Sequence, residues 1–356
     1  MRLSLIVMLM GFLSSASIMA ARAAAPCESL AGENIRLVVP HSVGGGYDAY
    51  ARLLAPFYEE ALMASVRVEN IDEAGGIIGA IEIRDAPPDG RTVGILNGSG
   101  LMAASVAGQE SAPNPASDYT ILARIARSQH VWMTSSGSGL RTMADVLGVA
   151  RARPLVFATL DVANISFFSL TLGAHILDFP VEAVAGFAGS TEETLALLRG
   201  DVDIVSVNFY SAFPEIEAGD LRPVLQITDS PIAGHPSLEH VPVLGGDNGF
   251  AARRAADQGG DRVEAAAMAA ALTSLAGAGR LIAAPPGIKP DLRQCMEEAL
   301  VNVLGSPEFV KAARAAKLPL DVARGSEAVQ SLKRAVAKMD SFTDVIELAI
   351  DKLRDR

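Results

Sequence analysis

Aromatic residues are scarce in this sequence, 5% of 356 positions, so its core must rest on Ala, Leu, Val and Ile. Positive charge is scarce too. Lys and Arg number 30 against 41 Asp and Glu, a net charge of -11. No run of adjacent Lys or Arg exceeds a pair, such as Arg253-Arg254 or Lys333-Arg334. That balance excludes the basic patch of a nucleic-acid binder. The histidines are His41, His130, His175, His235 and His240, and none stands in an H-x-x-x-H or H-E-x-x-H pair. No metal site is therefore expected. Ser99 and Ser138 lie between glycines without completing G-x-S-x-G. No Lys follows the glycine run at residues 44–46 as it would in a phosphate loop. Neither a catalytic residue nor a cofactor is expected. Beyond the first residues, no segment reaches membrane-spanning length without charge or glycine.

What is present begins with "MRLSLIVMLMGFLSSASIMAARAAAPC". One Arg precedes an apolar stretch and then small residues, the pattern of a secretory signal peptide spanning residues 1–25. Cleavage after Ala23 or Ala25 sends the mature chain to the periplasm; an uncleaved membrane anchor is the alternative. The mature chain keeps two cysteines, Cys27 and Cys295. In an oxidising compartment they either pair, stapling the N-terminus to a C-terminal helix, or remain two buried thiols.

The chain is long enough for two lobes. Strand and helix signals alternate, which predicts an α/β fold. Residues 35–40, 65–70 and 91–97 read as strands. Helices are expected from residue 46, with Pro56 dividing or kinking the first, and over residues 75–86. This is the β-α-β-α-β unit of a doubly wound sheet. Residues 129–136 read as a strand crossing into a second lobe. There, residues 155–160, 202–209 and 221–229 form further strands. Residues 190–200 form a helix with a hydroxyl cap and a terminal Gly. An Ala-rich helical stretch, 251–279, breaks at Gly259-Gly260. Residues 280–290 make the return crossing, and the remainder is amphipathic helix on the first lobe. The expected division is 26–128 with 282–356 against 129–281.

"VVPHSVGGGYDAYARLL", residues 38–54, runs from a strand through three glycines into a helix. Unpartnered N–H groups and the positive end of a helix dipole meet there, and Gly44, Gly45 and Gly46 carry no side chain to block an anion. Gly44, Gly46 and Ala49 also satisfy G-x-G-x-x-A, and Glu69 ends the next strand, so a dinucleotide-binding enzyme is a rival reading. Against it stand Asp48, whose charge would oppose a pyrophosphate, the leader, and the lack of a hydride partner. Asp48 and Arg52 are four apart and can instead pair with each other.

This stretch resembles the first motif of the periplasmic substrate-binding proteins of tripartite tricarboxylate transporters, the Bug-type receptors, in Pro40, Gly44 to Gly46, Asp48 and Arg52. "VENIDEAGGIIGA" (68–80), "PPDGRTVGI" (87–95), "GFAGSTEETLALLRGDVDI" (186–204, with Phe187 in a Tyr position) and "APPGIKPD" (284–291) resemble later motifs of the same family, in order. The likeness runs from about residue 33 to 345. It implies a two-lobe periplasmic binding protein type II fold, a clamshell with a hinge, that captures a small organic acid. A monomer serving the membrane subunits of a transporter is expected, with a ligand sensor as a further alternative.

Carried over, the ligand contacts are Ser42, Val43, Gly44, Gly45, Gly46, Tyr47 and Asp48 in the first loop. Ala74, Gly75 and Gly76 follow in the second, and Asn97 and Ser99 in the third. The chain departs from the family at Glu73, where Gly is usual. It also lacks the G-x-G-S…H motif of the second lobe. "FATLDVANISFF" stands there instead and leaves Thr159, Asn164 and Ser166 as the neutral polar candidates, beside the charge of Asp161.

Overall fold

The structure is a computed structural model and describes residues 27–109, 111–187, 189–337 and 342–354. The leader expected at residues 1–25 lies outside the described residues.

The chain opens β1 (Asn34–Val39), α1 (Gly46–Leu62), β2 (Ser65–Asn70), α2 (Ile77–Asp85), β3 (Thr92–Asn97), α3 (Gly98–Val106) and β4 (Thr120–Ala126). It continues through β5 (His130–Ser135), α4 (Met143–Ala150), β6 (Leu155–Ala158), α5 (Ile165–Ile176), β7 (Val181–Val184) and α6 (Ser190–Arg199). Next come β8 (Val205–Asn208), α7 (Phe213–Ala218), β9 (Leu221–Gln226), α8 (Phe250–Asp257) and α9 (Arg262–Ala276). The last elements are β10 (Arg280–Ala284), α10 (Pro290–Gly305), α11 (Pro307–Ala315), β11 (Ala323–Arg324), α12 (Gly325–Ala337) and α13 (Thr343–Arg354).

Two α/β lobes result. The first holds a six-stranded sheet in the order β11-β4-β10-β3-β1-β2. Ile35 of β1 lies opposite Val66 of β2 in a parallel pair, and β10 returns antiparallel between β3 and β4. A parallel interior strand is covered on both faces, which is why β1 reads as a continuous apolar run; Ile35, Leu37, Val38 and Val39 are all fully buried. The second lobe holds the antiparallel sheet β8-β5-β9 and the parallel pair β6-β7, linked by a bridge between Phe157 and Ile204. One apolar cluster joins the lobes, including Met102 of α3, Phe168 of α5 and Leu272 of α9.

In α1, Tyr50, Leu54, Tyr58 and Leu62 form a buried stripe at four-residue spacing. Pro56 does not divide this helix, as the sequence suggested; α1 runs unbroken past it. The ring sits on the exposed face, and burial of the flanking stripe offsets the missing hydrogen bond. The hydroxyl cap expected for α6 is not formed: its N-cap is Gly189, without a side-chain hydrogen bond. Asp261 does cap α9, its carboxylate accepting from the N–H groups of Val263 (2.7 Å) and Glu264 (3.1 Å). The C-terminal helices do not all cover the first lobe. α13 packs on α5, with Phe342 and Ile346 buried in the shared cluster. Cys27 and Cys295 are joined by a disulfide, with Cα atoms 5.8 Å apart. Among the described residues, no helix is long and apolar enough to cross a membrane.

Candidate functional site

The glycine loop sits at the carboxyl edge of β1 and closes on itself. Asp48, in the first turn of α1, is 2% exposed. Its carboxylate accepts from the Gly44 N–H at 2.8 Å, from Arg52 Nε at 2.9 Å and from Asn70 Nδ2 at 3.0 Å. The Arg52 guanidinium foremost, with the other two donors, holds this carboxyl below the usual range against the opposing effect of burial. The chain's own acid thus takes an amide that a ligand anion would otherwise find. Ser42 and Val43 lie outermost, Val43 71% exposed.

Behind the loop stands an aromatic and cationic group. His41 stacks on Tyr47 with ring centroids 4.0 Å apart. The Arg280 guanidinium lies 4.8 Å from the ring centroids of both Tyr47 and Tyr50. Burial first, and Arg280 second, push the His41 and His130 imidazoles down to about 4, so both are neutral at pH 7. Burial raises the Tyr47 hydroxyl, an effect Arg280 and Ser128 partly oppose.

A cavity of about 140 Å³ opens beside this group, between the lobes. Its first-lobe wall is Pro40, His41, residues 74–77, Asn97 and Gly100. Its second-lobe wall is Leu160, Asp161, Ala163 and Asn164. The 74–77 turn owes its shape to two features. Ala74 adopts a left-handed conformation, φ 50°, unusual outside glycine and asparagine. Gly76 has φ 91°, and a Cβ there would stand 2.1 Å from the Pro40 carbonyl oxygen. Asn97 caps α3, its side-chain oxygen accepting from the Gly100 N–H at 3.0 Å.

The second-lobe wall rests on a buried polar network. Ser166, the second residue of α5, places its hydroxyl 2.9 Å from that of Thr159, 2.9 Å from Asn164 Oδ1 and 3.0 Å from Glu193 Oε1. Thr159 Oγ1 donates to the Asp161 carbonyl at 3.0 Å. Glu193 comes from α6 and is 3% exposed. Burial pushes its carboxyl up to about 7, against the pull of Ser166 and the Leu160 N–H.

Of the residues expected from the sequence, Ala74, Gly75, Gly76, Asn97 and Asn164 line the cavity. Ser42, Val43, Gly44, Gly45, Gly46, Tyr47 and Asp48 stand beside it rather than in its lining. Thr159 and Ser166 are buried behind the second wall. Ser99 is 1% exposed, in α3 rather than a loop; its hydroxyl donates to the Ala276 carbonyl at 2.7 Å and accepts from the Gly279 N–H at 3.2 Å. Arg280, His130 and Glu193 were missed. Arg280 stands as a single cation opening the return strand, a placement that carries no local signal. Glu193 looked like an ordinary first-turn acid. A larger groove, about 610 Å³ between α5, β7 and α13, contains none of the expected residues.

The family described as tripartite tricarboxylate transporter family receptor matches residues 50–253. A protein of the tcbD-tcbE intergenic region of Pseudomonas sp. strain P51 is 28% identical over 219 residues, 59% of this chain and 62% of that protein. BugT of Bordetella pertussis is 25% identical over 59% of this chain and 65% of its own length. These matches thus span somewhat under two thirds of either relative. Among solved structures, an R. palustris protein with adipate superposes with a TM-score of 0.67 at 21% identity, covering 88% of this chain and 97% of that one. MatC from Rhodopseudomonas palustris with bound malate gives 0.63 at 20% identity, covering 88% and 99%. At such identities the likeness is one of fold.

Proposed function

Because this chain belongs to the tripartite tricarboxylate transporter receptor family, we propose that it holds a small organic carboxylate between its lobes and releases it unchanged to membrane subunits of a transporter. The observation that carries this reading is the interlobe cavity. Its polar lining draws on both lobes, with Asn97 and the 74–77 turn facing Leu160, Asp161 and Asn164. Amide and backbone donors on two opposed walls fix an anion by hydrogen bonds and couple its capture to closure about a hinge. The lobes we assign follow the expected division, 26–128 with 282–356 and 129–281, with the return crossing moved to Arg280, where β10 already pairs with β3 and β4, and with α13 lying against α5 of the second lobe; the chain works as one monomer.

Several features favour holding over turnover. The hydroxyl–carboxyl pair Ser166–Glu193 is buried behind the wall rather than open to a ligand. The dinucleotide reading loses support because Asp48 is buried and bonded to Gly44, where a pyrophosphate would need the amides. The Cys27–Cys295 disulfide fits an oxidising, extracytoplasmic compartment.

Adipate and malate, bound in the relatives of like fold, define the first acids to try. A thermal-shift screen of the mature protein against aliphatic di- and tricarboxylates, aromatic acids, amino acids and NAD(H) tests the reading. A ligand at 100 times its dissociation constant adds about 2.7 kcal/mol of stability. A shift confined to one class of acid is expected. A shift with NAD(H) alone, or none across the panel, contradicts the proposal.

A further inference from the structure

We propose that Arg280, which stands behind His41 rather than in the cavity lining, is the ion-pair anchor for one carboxylate of the bound acid, a role that the family motifs do not assign. The inference deepens the receptor reading and rests on it. Arg280 opens β10 and pairs in register with Asn97 of β3 and Ala126 of β4. Its side chain therefore emerges where the β1 loop and the start of α1 also lie. A Cβ on Gly46 would stand 3.3 Å from Arg280 Nη2, so the guanidinium rests against the first residue of α1. The unpaired charge and the positive end of the α1 dipole reinforce each other at that point.

This cation has been left without a counter-ion. Among the described residues it forms no salt bridge, and its buried Nε has no hydrogen-bond partner. The chain treats Arg124 otherwise: its guanidinium pairs with Asp321 at 2.7 Å. Asp48, the acid in the first turn of α1, is committed to Arg52, Asn70 and Gly44. The guanidinium is partly buried and lies against two tyrosine rings, but its buried Nε still lacks the acceptor that an arriving anion would supply.

A second observation points the same way. His130 is only 7% exposed, and its Nδ1 has no partner. Buried Nε2 of His41 is also unpartnered. Both imidazoles feel the Arg280 charge. A neutral imidazole can donate one N–H to a carboxylate whose oxygens take the guanidinium fork. His41 and Asn97 also line the cavity, so an acid anchored at Arg280 can extend its other end toward Asn164. A dicarboxylate satisfies both ends.

The test uses the full mature chain labelled with 15N-arginine and titrated with acetate, the smallest carboxylate probe. A saturable shift of the Arg280 Nε–H resonance, assigned by its loss in Arg280→Met, is expected. In parallel, adipate and malate are titrated against wild type, Arg280→Met and Arg280→Lys. Loss of a charge-assisted fork predicts binding weaker by roughly 10- to 100-fold in Arg280→Met. Arg280→Lys should fall between, because it keeps charge without the fork. Equal binding by all three overturns the anchor while leaving the receptor reading intact. Saturation by acetate with no binding of either acid supports the anchor and counts against the receptor reading for these acids. An Arg280 resonance that no carboxylate moves overturns the proposal. Should Arg280→Met fail to fold, Arg280→Lys and the wild-type acetate titration decide.

Discussion

On the first-lobe side of the cleft, the charges near the ligand cavity are fixed. Asp48 is held ionised and paired with Arg52, and the Arg280 guanidinium lies against the rings of Tyr47 and Tyr50. On the second-lobe side, the wall is held by hydroxyls and one amide gathered round a single carboxyl, Glu193, that titrates near neutrality. The first wall is therefore indifferent to pH over the physiological range, and the second is not.

The largest expected effect comes from cutting the first lobe's staple. Replacing Cys27 and Cys295 by Ala should cost roughly 2–5 kcal/mol in chemical denaturation. The emission of Trp132, buried in the second lobe with its Nε1 donating to Ser169 at 3.0 Å, should stay native until the global transition. Early loss of the Trp132 signal would mean the lobes do not differ in this way.

Next is Asp48→Ala. It strips three hydrogen bonds from the loop, including that from Gly44, and should destabilise by about 2–3 kcal/mol. Glu193→Gln is the counterpart on the second wall, and its sign depends on pH. A carboxyl raised to about 7 favours the folded state while neutral. Its stabilising effect is complete below the unfolded value near 4.3 and is lost as pH rises through about 7. The Gln variant should thus match wild type near pH 4 and exceed it by roughly 1–3 kcal/mol at pH 8. His41 and His130, lowered to about 4, act in the opposite sense. Their stabilisation is full above about pH 6.5 and fades as pH falls toward 4. Denaturation curves across pH 4–8 separate the two: the acid limb should survive in Glu193→Gln and the alkaline limb should vanish.

The smallest effect is Ser99→Ala. The hydroxyl joins α3 to the end of α9 through Ala276 and Gly279, so its loss should cost about 1 kcal/mol. Binding of any acid should be unchanged, and a tenfold loss of affinity would restore Ser99 as a contact.

Much of the first lobe was legible because its signals are local. The apolar run of β1 and the glycines that follow it each act within a few residues. The lining positions Gly75, Gly76 and Asn97 came instead from the resemblance to the receptor family, residue by residue. Ser99 was misread because its partner carbonyl lies far along the chain, and no local pattern reveals that α3 begins there. Glu193 was missed for the same reason: only the meeting of α5 and α6 buries it under Ser166. Arg280 illustrates the limit from the other side, since a single Arg at a strand start means nothing until the sheet sets it against Gly46 and two tyrosines. Pro56 does not divide α1, because propensity yields to a buried stripe.

The most direct test of the central claim is native mass spectrometry of the mature chain after incubation with the acid panel, followed by release and identification of whatever it holds. One organic carboxylate per chain, recovered chemically unchanged, is the predicted result. A chain that retains no carboxylate, or returns an altered one, would contradict the account.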